Sequence, residues 1–218
     1  MQKRTLPLLL FFHFTVTMSA QHTNKTSLPA THTIRLNPTG LLDPVEPNLS
    51  AGYEYRFQED WAVTADLAWI FYSRYSANTK RADGFILRSA IRRYIGPRRQ
   101  AFLDAELHCK HVVSTIEDWL GRDCVNGSAS YEEFTTFYYL RQSIGPNLKI
   151  GEESRISRNN KFWFEYYLGL GFRWNSQQVL NDPHACYKYA NELMNQAHDS
   201  RWVSVAVPMG IRLLYRLN

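Results

Sequence analysis

Past its first twenty residues the sequence has no apolar run approaching the roughly 20 residues that a helix needs to cross a bilayer. Any membrane-embedded part must then be built from strands, because only helices and closed sheets satisfy every backbone polar group in lipid. Cysteine is scarce, three in 218 residues, and none stands directly after the small-residue stretch Met18-Ser19-Ala20, where Gln21 follows, which argues against a bacterial lipoprotein anchor. No motif gathers the scattered Ser and His residues into a Ser, His and acid constellation, so the residues point away from an enzyme. His184, Cys186 and His198 are capable ligands without a recognised spacing, and no metal or cofactor is expected. Disorder has little room in a chain with 14% aromatic and 21% charged residues.

What is present begins with an address. Lys3 and Arg4, an apolar stretch over 6–16 and the small residues before Gln21 read as a cleavable export signal, residues 1–20. A polar lead, 21–30, and one folded domain, 31–218, follow. Loss of the signal removes two cations and no acid, lowering the net charge from +5 to +3, so no nucleic-acid partner is expected.

The last stretch, 202–217, organises the rest. Every second residue, from Val203 through Val205, Val207, Met209, Ile211, Leu213 and Tyr215 to Leu217, is apolar, while the alternate row is mostly small or cationic. One face therefore meets something oily and the other something polar. The same alternation recurs at Leu49–Phe57, Trp61–Phe71, Phe85–Ile91, Leu103–Cys109, Tyr138–Ile150 and Phe162–Trp174, with a weaker strand over 31–39. Connections alternate between short, at 58–60, 96–99 and 152–160, and long. In the long ones, Ser114 and Glu117 have capping-box spacing for a short helix, and Asp182-Pro183 suits the start of another.

This pattern predicts an all-β, eight-stranded antiparallel transmembrane β-barrel with short periplasmic turns and long extracellular loops. A soluble lipocalin-like barrel with its apolar face inward is the structural rival. Large side chains in every apolar row exceed what the interior of eight strands can hold, so those rows face lipid. The polar rows then line the lumen and carry both signs: Arg35, Arg56, Arg88, Arg92, Lys110, Arg141, Arg173 and Arg212 against Glu54, Asp66, Asp104, Glu106 and Glu165. These are expected to pair across a side-chain-filled lumen, and His108 to join them rather than to shuttle protons.

The runs Thr33-Ile34-Arg35-Leu36-Asn37-Pro38 and Asn48-Leu49-Ser50-Ala51-Gly52-Tyr53-Glu54-Tyr55-Arg56 resemble the opening of a Bacteroidetes family of outer-membrane β-barrels classified as a domain of unknown function. The run from Phe164 to Arg173 resembles its penultimate strand, and the plan is similar to small barrels of the OmpA and OmpX kind. The chain departs from such barrels by ending Tyr215-Arg216-Leu217-Asn218 rather than on an aromatic residue. The resemblance implies a place, the outer membrane of a Gram-negative bacterium, and no chemistry.

The reading is thus a monomeric barrel bathed in outer-membrane lipid, structural or interacting rather than enzymatic, that meets any protein partner through its outer loops or its wall. The alternatives are an outer-membrane enzyme acting on lipid or protein and the lipocalin-like binding barrel. The long stretches 114–134 and 175–200 are the expected interaction elements, through Trp119, Leu120, Tyr187, Tyr189, Leu193 and Met194. Both also carry a cysteine, so Cys124 and Cys186 are the candidate disulfide, with Cys109 left free on the lipid side of a strand.

Overall fold

A computed structural model describes residues 31–125, 128–180, 182, 184–187 and 201–217. The export signal, the polar lead, Asn126, His198 and the expected helix bearing Tyr189, Leu193 and Met194 lie outside the described residues. Among the described residues the one helical element is a short 3-10 turn, Pro38–Leu42, and no helix is long and apolar enough to cross a membrane.

The period-two rows become nine antiparallel strands. These are β1 (Thr31–Asn37), β2 (Asn48–Arg56), β3 (Trp61–Ile70), β4 (Thr79–Ile95), β5 (Ala101–Arg122), β6 (Tyr131–Arg155), β7 (Phe162–Val179), β8 (Arg201–Ala206) and β9 (Met209–Arg216). Each of β1 to β7 pairs with the next, and β9 pairs with both β7 and β1, so the sheet closes into a ring.

The ninth strand corrects the expected eight. β8 and β9 run end to end along β7 in one unbroken register, Ala206 opposite Gly171 and Met209 opposite Leu168. The break between them falls at Val207-Pro208, where proline has no N–H for the ladder. β8 has a strand partner on one side only among the described residues.

Register fixes the shape. From Leu213, direct partners lead round the ring through Leu36, Ala51, Leu67, Leu87, Cys109, Ile144 and Trp174 to Val203, ten residues short of the start (213 − 203). That stagger, over the eight positions the strands occupy, tilts them by about 40° and sets the backbone about 8 Å from the axis. A tube of that radius has room for side chains and little else.

Several expected ends move. Phe85 is not the start of its strand, because β4 begins at Thr79. The stretch 114–134 is not a loop with a helix: β5 and β6 run through it, leaving only 123–130 as the connection. Period two persists there while the apolar side changes. Asp104, Glu106 and His108 line the inner face of β5 lower down, but Val112, Ile116 and Leu120 line it above, and His111, Thr115 and Glu117 now face out. A reading that followed one apolar row lost the strand where the row switched faces.

Candidate functional site

The distribution of side chains is inverted relative to a soluble protein. Arg92 and Glu165 are 0% exposed, whereas Leu67 is 58% and Leu168 53% exposed. The interior is charged and the outer wall apolar, the reverse of the lipocalin-like arrangement. The wall is also banded. Along β3, Trp61 precedes Val63, Ala65 and Leu67, and Trp69 and Phe71 follow; along β7, Phe162, Phe164 and Tyr166 precede Leu168 and Leu170, and Phe172 and Trp174 follow. Rings pack within these bands, as at Tyr55–Phe57, Phe162–Tyr215 and Trp69–Phe71. Arg93, which interrupts the outer row of β4, lies over the Trp61 ring at 5.6 Å.

At the end where the short turns 57–60, 96–100 and 156–161 gather, the lumen holds one dense ion network. Arg92 sits at its centre. Its Nη1 lies 3.1 Å from Glu54, 3.1 Å from Glu153 and 2.7 Å from Glu165, while Nε and Nη2 bond both oxygens of Asp104 at 2.7 and 2.9 Å. A planar fork suits that bidentate contact. Arg35 stands 3.4 to 3.7 Å from Glu54, Asp66 and Glu165, and Arg212 bonds Glu165 at 2.5 Å and stands 3.2 Å from Asp66. Arg216 reaches Glu153 at 2.8 Å, and the Tyr94 hydroxyl lies 2.5 Å from Glu54 and 2.7 Å from Glu153. Oxygens of Glu54, Glu153 and Glu165 converge within 4.8 Å, a spacing open to a metal, but the Arg92 guanidinium already occupies the point between them.

The remaining lumenal charges form smaller groups. Glu106 pairs with Lys149 and accepts from Asn147, whose amide oxygen accepts from Arg173 at 2.7 Å. Glu46, buried in the connection after β1, pairs with both Lys110 and Arg141. Arg56 donates to the Glu59 carbonyl and covers the Tyr94 ring at 3.8 Å, away from the acids expected for it. Arg88 is on the inner face, yet its Nη1 is buried without a hydrogen-bond partner among the described residues. His108 lies between Arg88 and Gly145 as the direct cross-strand neighbour of both.

Glu46, Tyr94, Asn147, Lys149, Glu153 and Arg216 are the members that the charge rows did not single out. Tyr94 shares the parity of Arg92, and Glu153 that of Asn147 and Lys149, so period two contained that signal. Glu153 was hidden because its stretch reads as a turn, whereas β6 continues to Arg155. Glu46 lies in no strand, and no alternation could reveal it.

An apolar plug closes the other end. Ile116, Leu120, Phe137, Tyr139, Val179, Ala185 and Tyr187 form one buried cluster. The Tyr187 hydroxyl lies 2.8 Å from Asp118 and 3.0 Å from Ser76. Leu120 and Tyr187, expected as binding groups, are thus interior, because β5 turns that face inward and residues 184–187 fold over it. Trp119 is on the opposite face, exposed and edge-on to Phe134 at 5.7 Å. Gly121 and Cys186 exchange backbone hydrogen bonds at 2.9 Å, and Cys124 and Cys186 form a disulfide with Cα atoms 6.0 Å apart, while Cys109 is free. At the tip of the β5–β6 hairpin, Arg122 bonds Asp182 at 2.6 Å. The His184 N–H and then the Arg122 guanidinium hold the Asp182 carboxyl below its ordinary range, and the bond to Asp182 raises Arg122 in turn.

Closed antiparallel sheet, charged interior and apolar wall place the chain in the all-β, barrel-like class. No family model, no curated protein and no solved structure matches it.

Proposed function

We propose that the protein is an integral outer-membrane β-barrel of a Gram-negative bacterium, exported by a cleaved signal, with a structural or interaction role rather than a catalytic one. The observation that carries this reading is the banded wall: aliphatic side chains between two aromatic girdles, on a closed sheet whose charges point inward. Lipid is the environment that such a surface fits, since a belt of apolar residues about 25 Å tall flanked by aromatics matches a bilayer core and its interfaces. Short turns at the end with both termini and longer connections at the other, eight residues or more at 71–78, 123–130 and 180–200, support periplasmic turns and outer loops. The resemblance to the Bacteroidetes barrel family points the same way. An interaction role is supported by the projecting β5–β6 hairpin, which holds the exposed Trp119–Phe134 pair and Tyr131 beyond the charged lumen.

Expression of the full sequence and separation of the two membranes on a density gradient tests this. The protein is expected in the outer-membrane fraction, resistant to carbonate extraction, and faster on a gel before heating than after. A soluble periplasmic monomer, or one released by carbonate, would overturn the reading.

A further inference from the structure

Between the ion network and the apolar plug the lumen opens into a cavity of about 700 Å³. Its charges do not balance. Among the described residues four buried or half-buried cationic groups, Arg88, Lys110, Arg141 and Arg173, face it against two carboxylates, Asp43 and Glu46, with Arg74 exposed at its rim. Glu46 already serves two of those cations, Lys110 and Arg141, and the Asp43 carboxylate is engaged by the N–H groups of Val45 and Glu46. Arg173 donates only to neutral oxygens, those of Asn147 and Phe172, with nearby Glu106 paired to Lys149. Arg88 stands across from Asp66, which Arg35 and Arg212 share, and its Nη1 is buried with no hydrogen-bond partner among the described residues. Buried cationic groups that must share their acids, and a buried guanidinium N–H left unpaired, are costly, and the cost is relieved when an anion enters.

The site is built by register. Arg88, His108 and Gly145 are direct neighbours on β4, β5 and β6, and Gly145 abuts β7 at Arg173. Glycine is required there, because a Cβ would stand 1.9 Å from the Phe172 carbonyl oxygen and 3.2 Å from the Arg173 Cα. The floor between His108 and Arg173 is consequently bare of side chain. It has an approach as well. β8 is unpaired on its second side among the described residues, and Asp43 and Val45 line the cavity together with Trp202 and Ser204 of β8, so the cavity borders that strand edge.

We propose that this cavity binds a phosphate-bearing anion, held by the Arg88 and Arg173 guanidinium groups with Lys110 and Arg141 behind them. Planar forks suit tetrahedral oxyanions, which offer several oxygens to the two guanidinium groups where a carboxylate offers two, and 700 Å³ lies within the range of small-ligand sites. The same phosphate can arrive as a free solute or as a lipid headgroup past the unpaired edge of β8.

Titration calorimetry on the purified full-length protein in a non-ionic detergent tests this with two probes, inorganic phosphate and dihexanoyl phosphatidylglycerol. Saturable one-to-one binding of inorganic phosphate is expected for a free-solute site, and binding of the phosphatidylglycerol alone for a headgroup site. Arg88→Gln and Arg173→Gln should each weaken the bound probe about tenfold or more, as loss of a charge-assisted bond does, while Arg93→Gln on the outer wall leaves it unchanged. Absence of saturable binding of either probe to the unaltered protein, or unchanged affinity in whichever of the two lumenal variants keeps its heat-dependent gel shift, would overturn the proposal. The titration reads binding in detergent, so its failure leaves the outer-membrane assignment standing, and failed membrane fractionation leaves the cavity's affinity intact.

Discussion

Replacing Arg92 with leucine removes the one side chain that touches four lumenal carboxylates, Glu54, Asp104, Glu153 and Glu165. Three of them keep another partner: Glu54 has Arg35, Glu153 has Arg216 and Glu165 has Arg212. Asp104 keeps none of the described cations within ion-pair distance and is left 2% exposed. Breaking a buried pair in this way costs about 3–5 kcal/mol, most of it the uncompensated charge left behind rather than the attraction lost. Leucine, rather than alanine, retains some of the volume and keeps a cavity term small. Urea unfolding in lipid vesicles, followed by tryptophan emission and by the unheated gel band, measures the difference. Arg93→Leu is the control, since the neighbouring side chain points to the outside, and it should change stability by less than about 1 kcal/mol. Adding Asp104→Asn to Arg92→Leu removes the stranded charge and should recover about 1–3 kcal/mol in the double-mutant cycle. A loss below about 1 kcal/mol for Arg92→Leu, or a control equally destabilised, would refute the view that the network is held through Arg92.

Orientation is read with single cysteines in a background lacking the native ones: a membrane-impermeant maleimide should label positions 78 and 184 on intact cells and position 159 only after lysis, and the opposite pattern reverses the topology. Unreduced peptide mapping should recover Cys124 joined to Cys186 across a separation of 62 residues, and Cys124→Ser should lower the urea midpoint by an amount equivalent to at most about 4 kcal/mol, the chain-entropy limit for such a loop; two free loop thiols refute the bridge. The clasp of residues 182–187 onto β5 should loosen in acid. A carboxyl held below its usual range adds stability that is fully present above the unfolded value and lost as pH falls through the folded one, so with the disulfide reduced, protection of the Gly121 and Cys186 amides should fall below the ordinary aspartate range and not above it. Asp182→Asn should abolish this pH dependence, and the same acid-dependent loss in that variant would place the effect elsewhere.

Sequence by itself determined the strands, their two faces and the inside-out arrangement, because a pleated backbone sends alternate side chains to opposite sides and that period survives in any local window. Val203 to Leu217 and Phe162 to Trp174 needed no context to read. What alternation could not carry was the partner of each charge. Arg92 meets Glu165, 73 residues away, and Glu153, 61 away, only because pairing registers accumulated round the ring stagger it by ten residues and bring those side chains to one height. The same summed geometry set Arg88 across from an Asp66 already shared by Arg35 and Arg212, and Arg56 on a turn carbonyl. The plug was illegible for a different reason. Period two runs on through Val112, Ile116 and Leu120, but alternation alone does not say whether the apolar side of a strand faces in or out. Only closure of the sheet, with residues 184–187 folded across its mouth, decided that these side chains turn inward.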